Sequence, residues 1–199
     1  LEPGDMLYLP PRYAHDGVAL DAGCQTYSIG FRAPRAGEMA REILHRLAEE
    51  IADGMEDDPR LARLYEDKGQ PATDAPGQMP QALTEFALKA VKSALDDPRL
   101  LEQLIGEYLT DPKPNVYFDE GQLPDHFAYV VLNPATRMSY DAKHMFINGQ
   151  SFKCAGTDAK LLRKLADERR LSATQLRAGS AALTSAIAEF AKEGWLHGE

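Results

Sequence analysis

One histidine just beyond a double proline is the first residue placed to do chemistry. Residues 3–17 read Pro-Gly-Asp-Met-Leu-Tyr-Leu-Pro-Pro-Arg-Tyr-Ala-His-Asp-Gly, so His15 follows Pro10 and Pro11 by a few positions. A Pro-Gly-Asp turn, an apolar stretch and a proline stop describe a strand, a turn and a second strand. A small β-barrel can present an imidazole inward in this way, and the chemistry then open to it is metal ligation. Taken alone, a single histidine is more often a solvated or structural residue. Asp16 is adjacent to His15. Neighbours on an extended segment point to opposite faces, so Asp16 is not expected to be a second ligand. Arg12 and Tyr13 suit the mouth of a substrate site, and surface loop residues explain them equally well.

The other chemistry-bearing residues are scattered. His45 falls mid-helix as a surface or interface residue, His126 and His144 fall near strand ends, and His197 lies near the last residue. A weak metal site joining His126 and His144 is the minor reading of that pair. Cys24 and Cys154 are far apart and form no Cys-x-x-Cys, so we expect free thiols in a reducing compartment. The sequence contains no P-loop, Rossmann glycine signature, nucleophile elbow or EF-hand loop. No residue is singled out as catalytic.

Three groups of elements must position these residues. Residues 1–34 carry strand patterning, with Cys24–Phe31 rich in strand formers, and give two or three strands and no helix. Three short strands do not make a stable sheet by themselves, so we expect preceding chain to complete it. The chain opens on Leu1 directly at the motif, and we expect a truncated form. From Ala36 the period changes, and Met39, Ile43, Leu44, Leu47 and Ile51 recur at helical steps to Gly54. The pentapeptide Asp-Asp-Pro-Arg-Leu occurs at 57–61 and 96–100, and both copies read as helix starts, with Asp at the cap and Pro at the first turn. A Pro/Gly-rich loop covers 67–80, helices are predicted at 81–95 and 98–109, and 110–115 reads as a linker.

The last part mixes classes. His126–Asn133 predicts a strand, and residues 143–154 predict a hairpin turning at Asn148-Gly149. A helix follows, capped by Thr157 or Asp158, then a short helix near 172–179 and another over 182–195. Strands, three short helices and Trp195 near the end suggest a winged-helix-like domain over 114–199. The overall class is α+β.

Charge narrows the partners. The formal net charge is −9, and residues 36–113 hold most of it, with 9 basic and 17 acidic side chains. Such a surface is a poor general ligand for nucleic acid and suits a basic partner instead. Lys160, Arg163, Lys164, Arg169, Arg170 and Arg177 cluster, but Asp158, Asp167 and Glu168 interrupt them, and no direct DNA binding is expected. No apolar run is long enough to span a bilayer, so no membrane contact is expected.

The string Pro3-Gly4-Asp5, Tyr8, Pro10, Pro11 and His15 resembles the second conserved half of the cupin barrel, a double-stranded β-helix, in JmjC-type oxygenases. The following Cys-Gln-Thr-Tyr-Ser-Ile-Gly-Phe-Arg-Ala-Pro, residues 24–34, is similar to one branch, the bacterial ribosomal oxygenases. The resemblance is specific over 1–34 and architectural beyond. It implies an Fe(II)- and 2-oxoglutarate-dependent dioxygenase that hydroxylates an arginine of a large-subunit ribosomal protein, in the cytoplasm. It makes residues 1–34 the C-terminal edge of the barrel, 35–113 an acidic helical dimerisation region with a homodimer contact through 36–110, and 114–199 the winged-helix-like domain.

Iron in that family is held by His-x-Asp and a distant second histidine, a facial triad with open positions. His15 matches the distant histidine; no His-x-Asp or His-x-Glu occurs in the sequence. Those ligands, and the basic residue that grips 2-oxoglutarate, are expected upstream, and the chain alone is expected to be inactive. Thr26 and Ser28 share one face of the next strand and are candidates to hydrogen-bond 2-oxoglutarate, while Arg32 is assigned a structural role at the barrel rim. The alternative is a non-catalytic dimeric scaffold with a winged-helix interaction module; a third reading is a winged-helix transcription regulator.

Overall fold

The computed structural model describes residues 2–10, 12–30 and 33–199, and it divides into two units, 1–34 and 35–199. The first unit differs from the sequence expectation. Its described residues are exposed and form turns but no strand. The N–H of Asp5 donates to the Glu2 carbonyl at 3.0 Å, Tyr13 to Pro10 at 3.3 Å and Cys24 to Asp21 at 3.3 Å. The expected barrel edge is therefore absent as a ladder here. The physical reason is that strand patterning produces a sheet only when neighbouring strands take up its N–H and C=O groups and cover one face.

The second unit opens with α1 (Ala36–Gly54), which buries Ile43 and Leu47 as the helical period predicts. The two Asp-Asp-Pro-Arg-Leu copies then part company. The first closes only one turn, with the Ala62 N–H on the Asp58 carbonyl at 3.0 Å, and does not become a helix. The second starts α3 (Pro98–Thr110), where the Asp97 side chain accepts from the N–H groups of Arg99 and Leu100 at 3.0 and 3.2 Å. The difference lies in the sequels. After Leu100 the chain places Leu101, Leu104 and Ile105 against α1, whereas Gly69 and Pro71 soon follow the first copy. A short helix without a buried face is marginal. Between them lies α2 (Gln81–Leu95), which buries no residue fully.

The remaining elements are β1 (Tyr129–Leu132), β2 (Met138–Tyr140), β3 (His144–Ile147), β4 (Gln150–Lys153), α4 (Gly156–Glu168), β5 (Arg170–Ser172), α5 (Ala173–Leu176), α6 (Ala181–Lys192) and β6 (Leu196–Gly198). They make two three-stranded antiparallel sheets, ordered β5-β1-β6 and β2-β3-β4. Every residue of β3 is buried. Its alternation sends Met145 and Ile147 into the main core with Leu162 and Leu165 of α4, and turns Phe146 toward α3. The β3–β4 turn has Asn148 at φ 45° and Gly149 at φ 85°, the paired positive values of the expected two-residue hairpin turn.

The caps of the later helices are partly reassigned. α4 begins after Ala155 with no side-chain cap, so neither Thr157 nor Asp158 serves there. Asp158 instead accepts from the N–H of Ser180 at 2.9 Å and from its hydroxyl, at the start of α6. α5 carries a reciprocal capping box between Ser172 and Gln175. Trp195 is buried in the main core beside Phe190, with ring centroids 5.6 Å apart. Segment 110–115, expected as a linker, is tied down at its start: the Arg137 guanidinium donates to the Asp111 carbonyl at 2.7 Å, and the Gly149 N–H to the Thr110 hydroxyl at 3.2 Å.

Candidate functional site

His15 lies on irregular chain between the turn at Pro10–Tyr13 and the turn at Asp21–Cys24. Its ring is exposed, and its Nδ1 approaches the Tyr13 carbonyl at 3.3 Å. Arg12, three residues before, adopts φ 70°, a left-handed value that costs a non-glycine residue energy. Thr26 and Ser28 are exposed on the next stretch, which carries no ladder bonds. Arg32 and Pro11 lie outside the described residues.

An iron site of the facial-triad kind needs three protein donors on one side of the metal. Among the described residues no group of three His, Cys, Asp or Glu side chains could hold a metal ion. The donors among the described residues thus do not complete an iron site around His15. The pair His126 and His144 makes no such site either.

Three of the remaining histidines meet carboxylates. His144 is buried, and its Nδ1 meets the Asp141 carboxylate at 3.1 Å. Burial pushes Asp141 up, but the N–H groups of Lys143 and His144 and the imidazole outweigh it and hold the carboxyl below its usual range. His45 faces Glu49 at 3.5 Å and His197 faces Glu199 at 3.3 Å, both exposed. The Cys154 thiol is pushed up by burial, ahead of the opposing pull of Arg163, which disfavours the reactive thiolate.

The basic cluster is likewise engaged within the fold. Arg169 donates to the Thr136 and Asn133 carbonyls at 2.9 and 2.8 Å. Arg163 donates to the Asp141 and Ala142 carbonyls at 3.2 Å and lies over the Tyr140 ring. Arg170 lies over the Tyr129 ring, and Lys164 pairs with Glu168. Sequence spacing showed the cluster; it had no means of showing these carbonyl partners, which come from the distant β1–β2 and β2–β3 loops.

Comparison with known proteins gives these parts a frame. A family model for the JmjC domain matches residues 1–39, and one for the ROXA-like winged helix matches residues 93–197, more than half of the chain. The chain belongs to the ROXA-like winged-helix family. It is 32% identical over 114 residues to the Ribosomal protein uL16 3-hydroxylase of Escherichia coli (strain K12), a match covering 57% of this chain and 28% of that protein. The X-ray structure of E. coli ycfD superposes with a TM-score of 0.64 at 16% identity, covering 86% of this chain and 46% of that one. YcfD, described as a ribosomal oxygenase from Escherichia coli, in complex with cobalt and 2-oxoglutarate, gives 0.64 at 16% identity over 84% of this chain and 47% of that one. At that identity the likeness concerns the fold. The chain spans less than half the length of these relatives. The family model places α3 within the winged helix, as the contacts of α3 with β2, β3 and β4 do. Among the described residues no helix is long and apolar enough to cross a membrane.

Proposed function

We propose that this chain is the C-terminal portion of an Fe(II)- and 2-oxoglutarate-dependent oxygenase that hydroxylates an arginine of a large-subunit ribosomal protein, and that the chain alone is inactive. The observation that carries this reading is the JmjC match over 1–39, which contains His15, in the same chain as a ROXA-like winged helix. The identity to a ribosomal-protein hydroxylase supports the substrate class.

In this reading His15 is one iron ligand, and a His-x-Asp pair in a longer form supplies the others. Thr26 and Ser28 hydrogen-bond 2-oxoglutarate through their hydroxyls. The iron, with 2-oxoglutarate, would supply oxygen activation; the protein would supply ligands and orientation. Residues 36–110 form a homodimer contact, and the protein works in the cytoplasm without touching DNA.

The test uses 2-oxoglutarate turnover coupled to a ribosomal-protein peptide, with added Fe(II). The 199-residue chain should give none, a form extended by a barrel segment bearing His-x-Asp should hydroxylate the peptide, and His15→Ala should abolish that. Coupled turnover by the unextended chain would refute the account of the missing ligands. Light scattering should show a dimer at micromolar concentration, and a monomer would remove the dimer contact.

A second reading, a dimeric winged-helix interaction module, is favoured by one observation: every buried side chain among the described residues lies in 35–199. It predicts that an extended form with an intact His-x-Asp remains inactive.

A further inference from the structure

Residues 35–199 contain two hydrophobic clusters of unequal size. The main one gathers buried side chains from β1, β3, α4, β5, α5, α6 and β6. The other, among the described residues, buries only Ile43 and Leu47 of α1 and Leu104 of α3, with partly buried neighbours such as Ile51 and Tyr108. α1 packs chiefly on α3, whereas α3 also packs on β2, β3 and β4. α3 is thus shared, and α1 packs mainly on it rather than on the sheet.

One charged contact ties the seam. Arg46 of α1 donates to the carboxylate of Asp111, directly after α3. Asp111 is itself anchored to the sheet side through its carbonyl, which accepts from Arg137. The two attachments are therefore separable: the backbone of Asp111 belongs to the winged helix, and only its side chain holds α1. The docked state carries a penalty, because the Arg46 Nε is buried without a partner. Arg46, Glu49, Asp53, Leu104 and Glu107 line a half-open polar cleft along the seam.

We propose that α1 is a releasable arm, which undocks from α3 at the Arg46–Asp111 contact while α3 and the winged helix stay folded. Local opening of this kind is expected where few apolar side chains are buried. Burial, together with the nearby Glu107 and Glu42 charges, pushes the Asp111 carboxyl up more than Arg46 and Arg137 pull it down, so the docked carboxylate is held at some cost. The inference does not depend on the oxygenase reading.

Hydrogen exchange followed by mass spectrometry on the full chain in dilute solution tests it. Amides of α1 should exchange at least about tenfold faster than those of α4 and α6, and with a weaker dependence on denaturant. Arg46→Met, which keeps an apolar stem, should speed α1 a further roughly tenfold and leave α3, α4 and α6 unchanged. Equal protection and equal denaturant slope for α1, α4 and α6 in the unsubstituted chain would overturn the proposal, whatever the variant does. So would an Arg46→Met chain in which all helices loosen together, or in which α1 is unaffected.

Discussion

Gly106 of α3 sits flat against the Phe146 ring of β3, so closely that a Cβ at position 106 would enter the ring. The helix and the strand approach each other across a residue that has no side chain. Two effects oppose each other in Gly106→Ala. Alanine is favoured over glycine within a helix by about 1 kcal/mol, but overpacking a tight contact costs about 1–3 kcal/mol. We expect the second to win and the variant to unfold at lower urea concentration. A gain in stability would mean that Phe146 swings aside freely.

Gly149→Ala tests the hairpin. Gly149 has φ 85°, and a Cβ there would meet the Asp111 carboxylate. Strain and collision add, and a loss of about 1–3 kcal/mol in chemical denaturation is expected. Asn148→Ala should cost less, about 1–2 kcal/mol, because it removes the Oδ1 that accepts from the Arg137 N–H at 2.9 Å and a residue type tolerant of φ 45°.

Arg169 separates backbone from side-chain effects. It ends α4 at φ 65° while its guanidinium satisfies two loop carbonyls. Arg169→Ala removes those bonds and retains the strain, for an expected loss of about 2–3 kcal/mol. Arg169→Gly loses the same bonds but relaxes the left-handed cap, and should be about 1 kcal/mol more stable than the alanine variant. Equal thermal midpoints for the two variants would show that the backbone there is not strained.

Asp111 carries a pH signature. It is faced by Arg46 and Glu42 from α1, Glu107 from α3 and Arg137 from the loop before β2, and burial leaves its carboxyl above the ordinary value of 3.8. A carboxyl raised on folding binds protons more readily in the folded state, so its contribution to stability increases as pH falls through the raised value toward 3.8. Asp111→Asn cannot titrate. Comparing urea midpoints of the two proteins across that window should show the aspartate form gaining on the asparagine form as pH falls. The opposite trend would mean that the two arginines outweigh burial.

What could be read in the sequence was whatever short-range chemistry decides. Asn148-Gly149 fixes its own turn, and Asp97-Pro98 starts its own helix because Leu101, Leu104 and Ile105 have α1 to cover them. The same pentapeptide at 57–61 failed for want of such cover, which no local signal encodes. β2, β5 and β6 were not foreseen, since three-residue strands have too few positions to show alternation and exist through their partners. Asp158 has the residue type of a helix cap, but instead of capping its own helix it accepts from Ser180, the residue that caps α6. For the candidate site, His15, Thr26 and Ser28 were legible as residue types in a string, while their convergence depends on strands that the described residues of 2–34 do not form here. The internal duties of Arg163 and Arg169 were invisible for the same reason: their acceptors are loop carbonyls far away in sequence.

The order of strands β5-β1-β6 has a kinetic consequence. β1 is the middle strand, yet both its neighbours, residues 170–172 and 196–198, come long after it in the chain. Loop-closure entropy must be met before those pairings return anything, whereas the β3–β4 hairpin closes over a two-residue turn. The hairpin is therefore suited to nucleate, and Val130 and Leu132 stay uncovered until the last turns of chain arrive, so refolding should show its slowest structural step at the sheet that contains them.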